Sequence, residues 1–221
     1  MKRALSHFFS WVFLPLFMPT YGLLLTLYFP SEPIVLNKNA IFLLPPEIKT
    51  QVLTLFFIFS ALAPGLSFIA LHKRKVISTI DMENQKERNI PLIIMFAYCI
   101  VLFLLFVYKA PNNVLPKYFY ALPLSGALVT ALFMFINRWI KISMHAGGAG
   151  ILVGFLFAFF KEQLIFDFWI IIAAVIASGL TIASRLYLDK HRPVEVYAGW
   201  TLAMIITFIC NYLYPFIEIK G

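Results

Sequence analysis

His191 and Glu195 stand four residues apart, with a proline between them at position 193 that is suited to open a helix. On a helix that spacing puts an imidazole and a carboxylate on one face, within hydrogen-bonding reach. Such a carboxylate fixes the tautomer of the ring and raises its basicity. Arg185, six residues before His191, adds a planar fork of donors suited to a phosphate or a carboxylate. Together the three supply a nucleophile or base, its orienting acid and an anion clamp. The plain alternative is a basic juxtamembrane loop whose His and Glu only satisfy one another. Spacing alone leaves both open.

A second stretch, Asn137-Arg138-Trp139-Ile140-Lys141-Ile142-Ser143-Met144-His145-Ala146-Gly147-Gly148-Ala149-Gly150, again sets a His beside basic residues at the entrance of an apolar run. Its small residues 146–150 permit close helix packing and the close approach of a ligand. The densest charge lies at 73–90 and includes Lys86 and Arg88, just ahead of Pro91. If every apolar run crosses a membrane, all three stretches emerge on one face. Two imidazoles, an acid and several cations there suit displacement at phosphorus: one ring attacks, the other protonates the departing oxygen, and cations neutralise the equatorial oxygens.

Ser184-Arg185, five residues, His191, three residues and an acid resembles the third signature of the type 2 phosphatidic acid phosphatase (PAP2) superfamily, Ser-Arg-x5-His-x3-Asp, with Glu195 in place of the Asp. Ser143-Met144-His145 is similar to the second signature, Pro-Ser-Gly-His, with Ile142 and Met144 replacing the Pro and Gly. Arg88 resembles the arginine of the first signature, Lys-x6-Arg-Pro, although Asp81 stands where its Lys would be. The resemblance implies that His191 is a nucleophile forming a phosphohistidine, that Glu195 orients it and that His145 is the general acid. It implies that Arg185, Ser143 and Arg88, with Lys86 or Lys141, hold the phosphate, and that the reaction needs no metal or other cofactor. The implied substrate is a phosphorylated lipid.

These residues need a scaffold, and composition indicates which. The 221 residues are 62% hydrophobic and 13% charged, with a mean hydropathy of +0.87, against about 25% charged in soluble domains. The expected fold is an all-α polytopic transmembrane helical bundle of six or seven spans, forming one integral membrane domain over 1–221 with a PAP2-like core at about 86–214. Runs near 8–29, 51–72, 91–109, 118–137, 146–160, 166–184 and 194–214 are the candidate spans. Pro15 with Pro19, and Pro64-Gly65, predict kinks in the first two, and residues 30–50 read as an interfacial loop. Cys99 and Cys210 read as buried small apolar residues rather than a disulfide or metal pair.

The net charge of +8 sits in short connectors, where it sets topology and meets lipid phosphates rather than nucleic acid. Of the 18 Lys and Arg, 12 fall on the motif side and 6 on the other, which places the motifs in the cytoplasm, with the protein in the cytoplasmic (inner) membrane. Setting aside Lys86, Arg88, Lys141 and Arg185 as phosphate ligands leaves 8 against 6, and many family members work on the opposite face. Two other readings remain: a PAP2-like protein that binds or transports a lipid phosphate without cleaving it, and an intramembrane prenyltransferase built on the acidic run Asp81-Met82-Glu83.

Overall fold

The computed structural model describes residues 2–35, 40–80, 82, 84–110 and 114–214. Along the chain it places α1 (Lys2–Val12), a 3-10 turn (Pro15–Phe17), α2 (Met18–Tyr28), strand β1 (Ser31–Pro33), α3 (Pro46–Phe56), a π-helical turn (Phe57–Leu62) and α4 (Ala63–Lys73). A second 3-10 turn (Gln85–Arg88) leads into α5 (Asn89–Lys109), followed by α6 (Tyr118–Ile136), α7 (Met144–Lys161), β2 (Gln163–Phe166), α8 (Phe168–Tyr187) and α9 (Pro193–Leu213). Joined across their breaks, these make seven helical spans long and apolar enough to cross a membrane among the described residues. The all-α polytopic bundle therefore has seven spans, and the chain is an integral membrane protein.

The first two spans are broken where the prolines predict. Pro15 sits in the 3-10 turn between α1 and α2. The π-helical turn ends just ahead of Pro64, whose missing N–H and ring clash disfavour regular α-helix in the preceding turn. Both spans start earlier than the apolar runs suggest, at Arg3 and Pro46. One element is absent from the sequence reading: Ser31–Pro33 pairs antiparallel with Gln163–Phe166 in a two-stranded ribbon at the end of the bundle away from the charged motifs. There Lys117 Nζ donates to Glu162 Oε1 at 2.5 Å, and the Tyr118 hydroxyl donates to the other Glu162 oxygen. Asn37, Asn39 and Lys38 of the 30–50 loop, and residues 111–113 of the predicted turn, lie outside the described residues.

Helix α7 forms the centre, with 15 of its 18 residues buried. Its glycines make this possible. A Cβ on Gly154 would lie 2.3 Å from the Met204 carbonyl oxygen of α9, and one on Gly150 2.4 Å from that of Trp200. Small residues let two backbones approach in this way, where packing rather than the hydrophobic effect holds helices together in lipid. Gly147 meets Phe133 of α6 and Gly148 meets Pro15. The small residues of 147–150 thus serve helix packing. Cys99 and Cys210 are free thiols within spans, Cys210 buried and Cys99 partly so.

Candidate active site

The chain leaves α8 through a Schellman turn. Lys190 N–H donates to the Arg185 carbonyl and Asp189 N–H to that of Leu186, with Asp189 at φ 52°, a left-handed position that Asp tolerates better than most residues. This turns the chain and leaves His191 within electrostatic reach of Arg185. Pro193 then opens α9, and Glu195, at the third helical position, accepts from the Arg192 N–H at 3.2 Å. The same Oε2 lies 2.9 Å from Nδ1 of His191. The expected pair is formed, and the capping geometry that starts the helix also aims the acid.

The ring faces two kinds of partner. Nδ1 meets two acceptors, the Glu195 carboxylate and the Lys141 carbonyl oxygen at 3.2 Å. Nε2 meets a donor, Nη2 of Arg88, at 3.4 Å. A guanidinium has only N–H groups to offer, so the proton sits on Nδ1 and the lone pair on Nε2. Burial, then the charge of Arg88, push the His191 pKa down to about 4; Arg185 and Lys141 add to this and the Glu195 hydrogen bond opposes it. At neutral pH the imidazole is uncharged with Nε2 available, the state a nucleophile requires.

Arg88 reaches this point through a pinned loop. Glu87 accepts from the N–H and hydroxyl of Ser78, Asn84 caps the Lys86 N–H, and Gln85 and Asn137 exchange hydrogen bonds across to the end of α6. Arg88 Nε then donates to the Met82 carbonyl at 2.8 Å and Nη1 to that of Ile142 at 2.6 Å. With two donors so held, the third edge of the fork is directed at His191.

Ser143 caps α7, its hydroxyl accepting from the Ala146 N–H at 3.4 Å, so the N-terminus of a long helix opens beside the cluster. Such an end attracts anions. Its own N–H donates to the Glu195 carbonyl, and Gly199 admits this contact, since a Cβ there would lie 2.8 Å from the Ser143 carbonyl oxygen. His145 follows in the first turn of α7, within electrostatic reach of Arg185, His191 and Arg88. Arg185 Nη1 donates to the Ser10 hydroxyl at 2.9 Å. Arg88, Ser143, His145, Arg185 and His191 are each no more than 9% exposed.

Of the predicted residues, the structure brings together His191, Glu195, His145, Ser143, Arg185 and Arg88. Lys141 is adjacent: its carbonyl holds His191, while its Nζ donates to the Lys190 carbonyl at 3.1 Å. Lys86 is not brought in, because its side chain is exposed on the 3-10 turn. Asp81 and Glu83 lie outside the described residues. Ser10 joins the cluster without belonging to any of the three motif stretches. Its signal is a polar stripe, Arg3, Ser6, His7 and Ser10, at helical spacing inside an apolar segment.

The PAP2 superfamily model matches residues 137–218. Over that stretch the chain resembles the family, which comprises phosphatases of helical membrane type. The matched part holds Ser143, His145, Arg185, His191 and Glu195, while Arg88 and Ser10, which contact this cluster, lie outside it. No curated protein matches the chain, and no solved structure does.

Proposed function

We propose that this protein is a PAP2-type lipid phosphate phosphatase that removes phosphate from a lipid phosphate or diphosphate through a phosphohistidine. The observation that carries the reading is the His191 ring, with Nδ1 tied to Glu195 and Nε2 facing the Arg88 guanidinium. A phosphoryl group arriving at Nε2 would meet the nucleophile and a cation together.

In this scheme the Nε2 lone pair attacks phosphorus as the bond to the lipid oxygen breaks. His145 hands that oxygen a proton, which a substrate bound as its monoanion brings with it. Water then attacks phosphorus as the P–N bond breaks and gives a proton to His145, which passes it to the departing inorganic phosphate; both His191 and His145 return to their starting states. Glu195 stabilises the charge that grows on the His191 ring, and Arg88 and Arg185, with the α7 N-terminus, stabilise charge on the phosphoryl oxygens. The side chains suffice without a metal. Seven membrane spans around the site favour a substrate with an acyl or prenyl tail.

The test is a panel of lipid phosphates and diphosphates presented in mixed micelles to the purified protein, scored by phosphate release, with His191→Ala in parallel. Release by the wild type and none above background by the variant is expected. Wild-type turnover in His191→Ala would remove the assignment. A second reading, binding without cleavage, draws on Ile142 and Met144 standing where the second signature has Pro and Gly. Wild-type protein that binds but never releases phosphate would favour it.

A further inference from the structure

Hydroxyl side chains inside apolar helices usually bond back to their own helix, as Thr26 does to Gly22, Ser67 to Ala63 and Ser184 to Leu180. Ser10 does otherwise. It is buried on α1, and its hydroxyl accepts from Nη1 of Arg185, 175 positions away, at 2.9 Å. Its backbone lies against the ring of His145. One residue of the first span thus touches both the cation and the second imidazole of the cluster.

The rest of α1 is arranged to present it. Ser6 and Ser10 lie on the side turned to the bundle, half-buried and buried, while Leu5, Phe8 and Trp11 are exposed on the other side. Helix α1 packs along α8, which carries Arg185, and at its far end Pro15 closes on Gly148 so tightly that a Cβ there would lie 2.5 Å from the Pro15 Cα. The helix is seated against α8 and the 3-10 turn that follows it against α7, and Ser10 is the point at which the helix meets the cluster.

We infer that Ser10 is a positioning residue of the phosphate clamp: its hydroxyl fixes the rotation of the Arg185 guanidinium so that the fork meets phosphate oxygens. The inference rests on the clamp assigned under the proposed function, but phosphate binding tests it separately from hydrolysis. A guanidinium is effective on an anion only when its donors are pre-aimed. Removing a hydrogen bond to a charged group lets the fork turn away and weakens anion binding about tenfold.

The experiment measures orthovanadate affinity by calorimetry on the full chain in detergent, with phosphate release from the best lipid substrate assayed beside it. Ser10→Ala is expected to weaken vanadate binding about tenfold, with kcat/KM falling more than kcat. Ser10→Thr, which keeps the hydroxyl, should restore most of the affinity, and Phe8→Ala on the outer side of the same helix should leave it unchanged. Wild-type affinity in Ser10→Ala would overturn the inference, as would equal weakening by Phe8→Ala or no difference between the Thr and Ala variants. Wild-type protein that binds no vanadate overturns it whatever the activity. If the wild type binds vanadate in a Ser10-dependent way yet hydrolyses no lipid phosphate, the clamp stands and the phosphatase reading fails.

Discussion

Nη2 of Arg88 lies 3.4 Å from Nε2 of His191, 103 positions further along the chain. This contact fixes which nitrogen of the ring carries the lone pair, and it joins the loop before α5 to the turn before α9. The chemistry proposed for the site follows from it, because the atom proposed as nucleophile and the cation proposed to bind phosphate face the same point.

Glu195 has two tasks that one pair of variants separates. It caps α9 through the Arg192 N–H and orients His191 through Nδ1. Glu195→Gln keeps an acceptor for both bonds and loses the charge that stabilises the ring as it becomes cationic. A melting temperature near wild type with turnover lower by about a hundredfold or more is expected. Glu195→Ala loses the cap as well and should cost a further ~1 kcal/mol of stability. Thermal melts and phosphate release on the same preparations check both.

The buried His191 also makes stability depend on pH. Its folded pKa, about 4, is below its ordinary value of 6.5, so between these values the unfolded chain binds the proton and the folded protein does not. Stability from this group is fully present above about 6.5, declines as the pH falls through that window and levels off below about 4. Melting temperatures of wild type and His191→Gln across pH 4 to 7 should show the wild-type slope reduced in the variant.

The glycine seam gives a sharper contrast. A Cβ at Gly154 would lie 2.3 Å from a backbone carbonyl of α9, whereas one at Gly179 would meet nothing within 4 Å. Gly154→Ala should lower stability by about 1–3 kcal/mol as α7 and α9 are forced apart. Gly179→Ala should be neutral or slightly stabilising, since it removes a glycine from a helix interior. Melting of the two purified variants reads the difference.

What the sequence shows of this arrangement depends on how local each part is. His191 and Glu195 are legible because four residues and a helix-starting proline fix their geometry. The span pattern is legible because lipid demands long apolar helices. Arg88 is barely legible: its approach depends on a loop bent at Met82, φ 50°, and on carbonyls from two segments. Ser10 is hidden because a single hydroxyl in an apolar run usually satisfies its own helix. Strand β1 has three residues, Ser31, Glu32 and Pro33, with no alternation to announce a strand.

The face on which the site lies is open to a direct check. The positive-inside count favours the cytoplasm, and Lys75 and Leu164 are exposed at opposite ends of the bundle. With single Cys replacements at these positions, a membrane-impermeant thiol reagent applied to intact cells should label Leu164→Cys and spare Lys75→Cys. The reverse pattern would place the site on the outer face.

The measurement closest to the central claim is rapid alkaline quenching of the purified protein during turnover of a 32P-labelled lipid phosphate, followed by peptide mapping. The account predicts an acid-labile, base-stable phosphoryl group on His191, attached through Nε2, and absent from His191→Ala. Turnover with label on another residue, on Nδ1, or on no residue at all would contradict it.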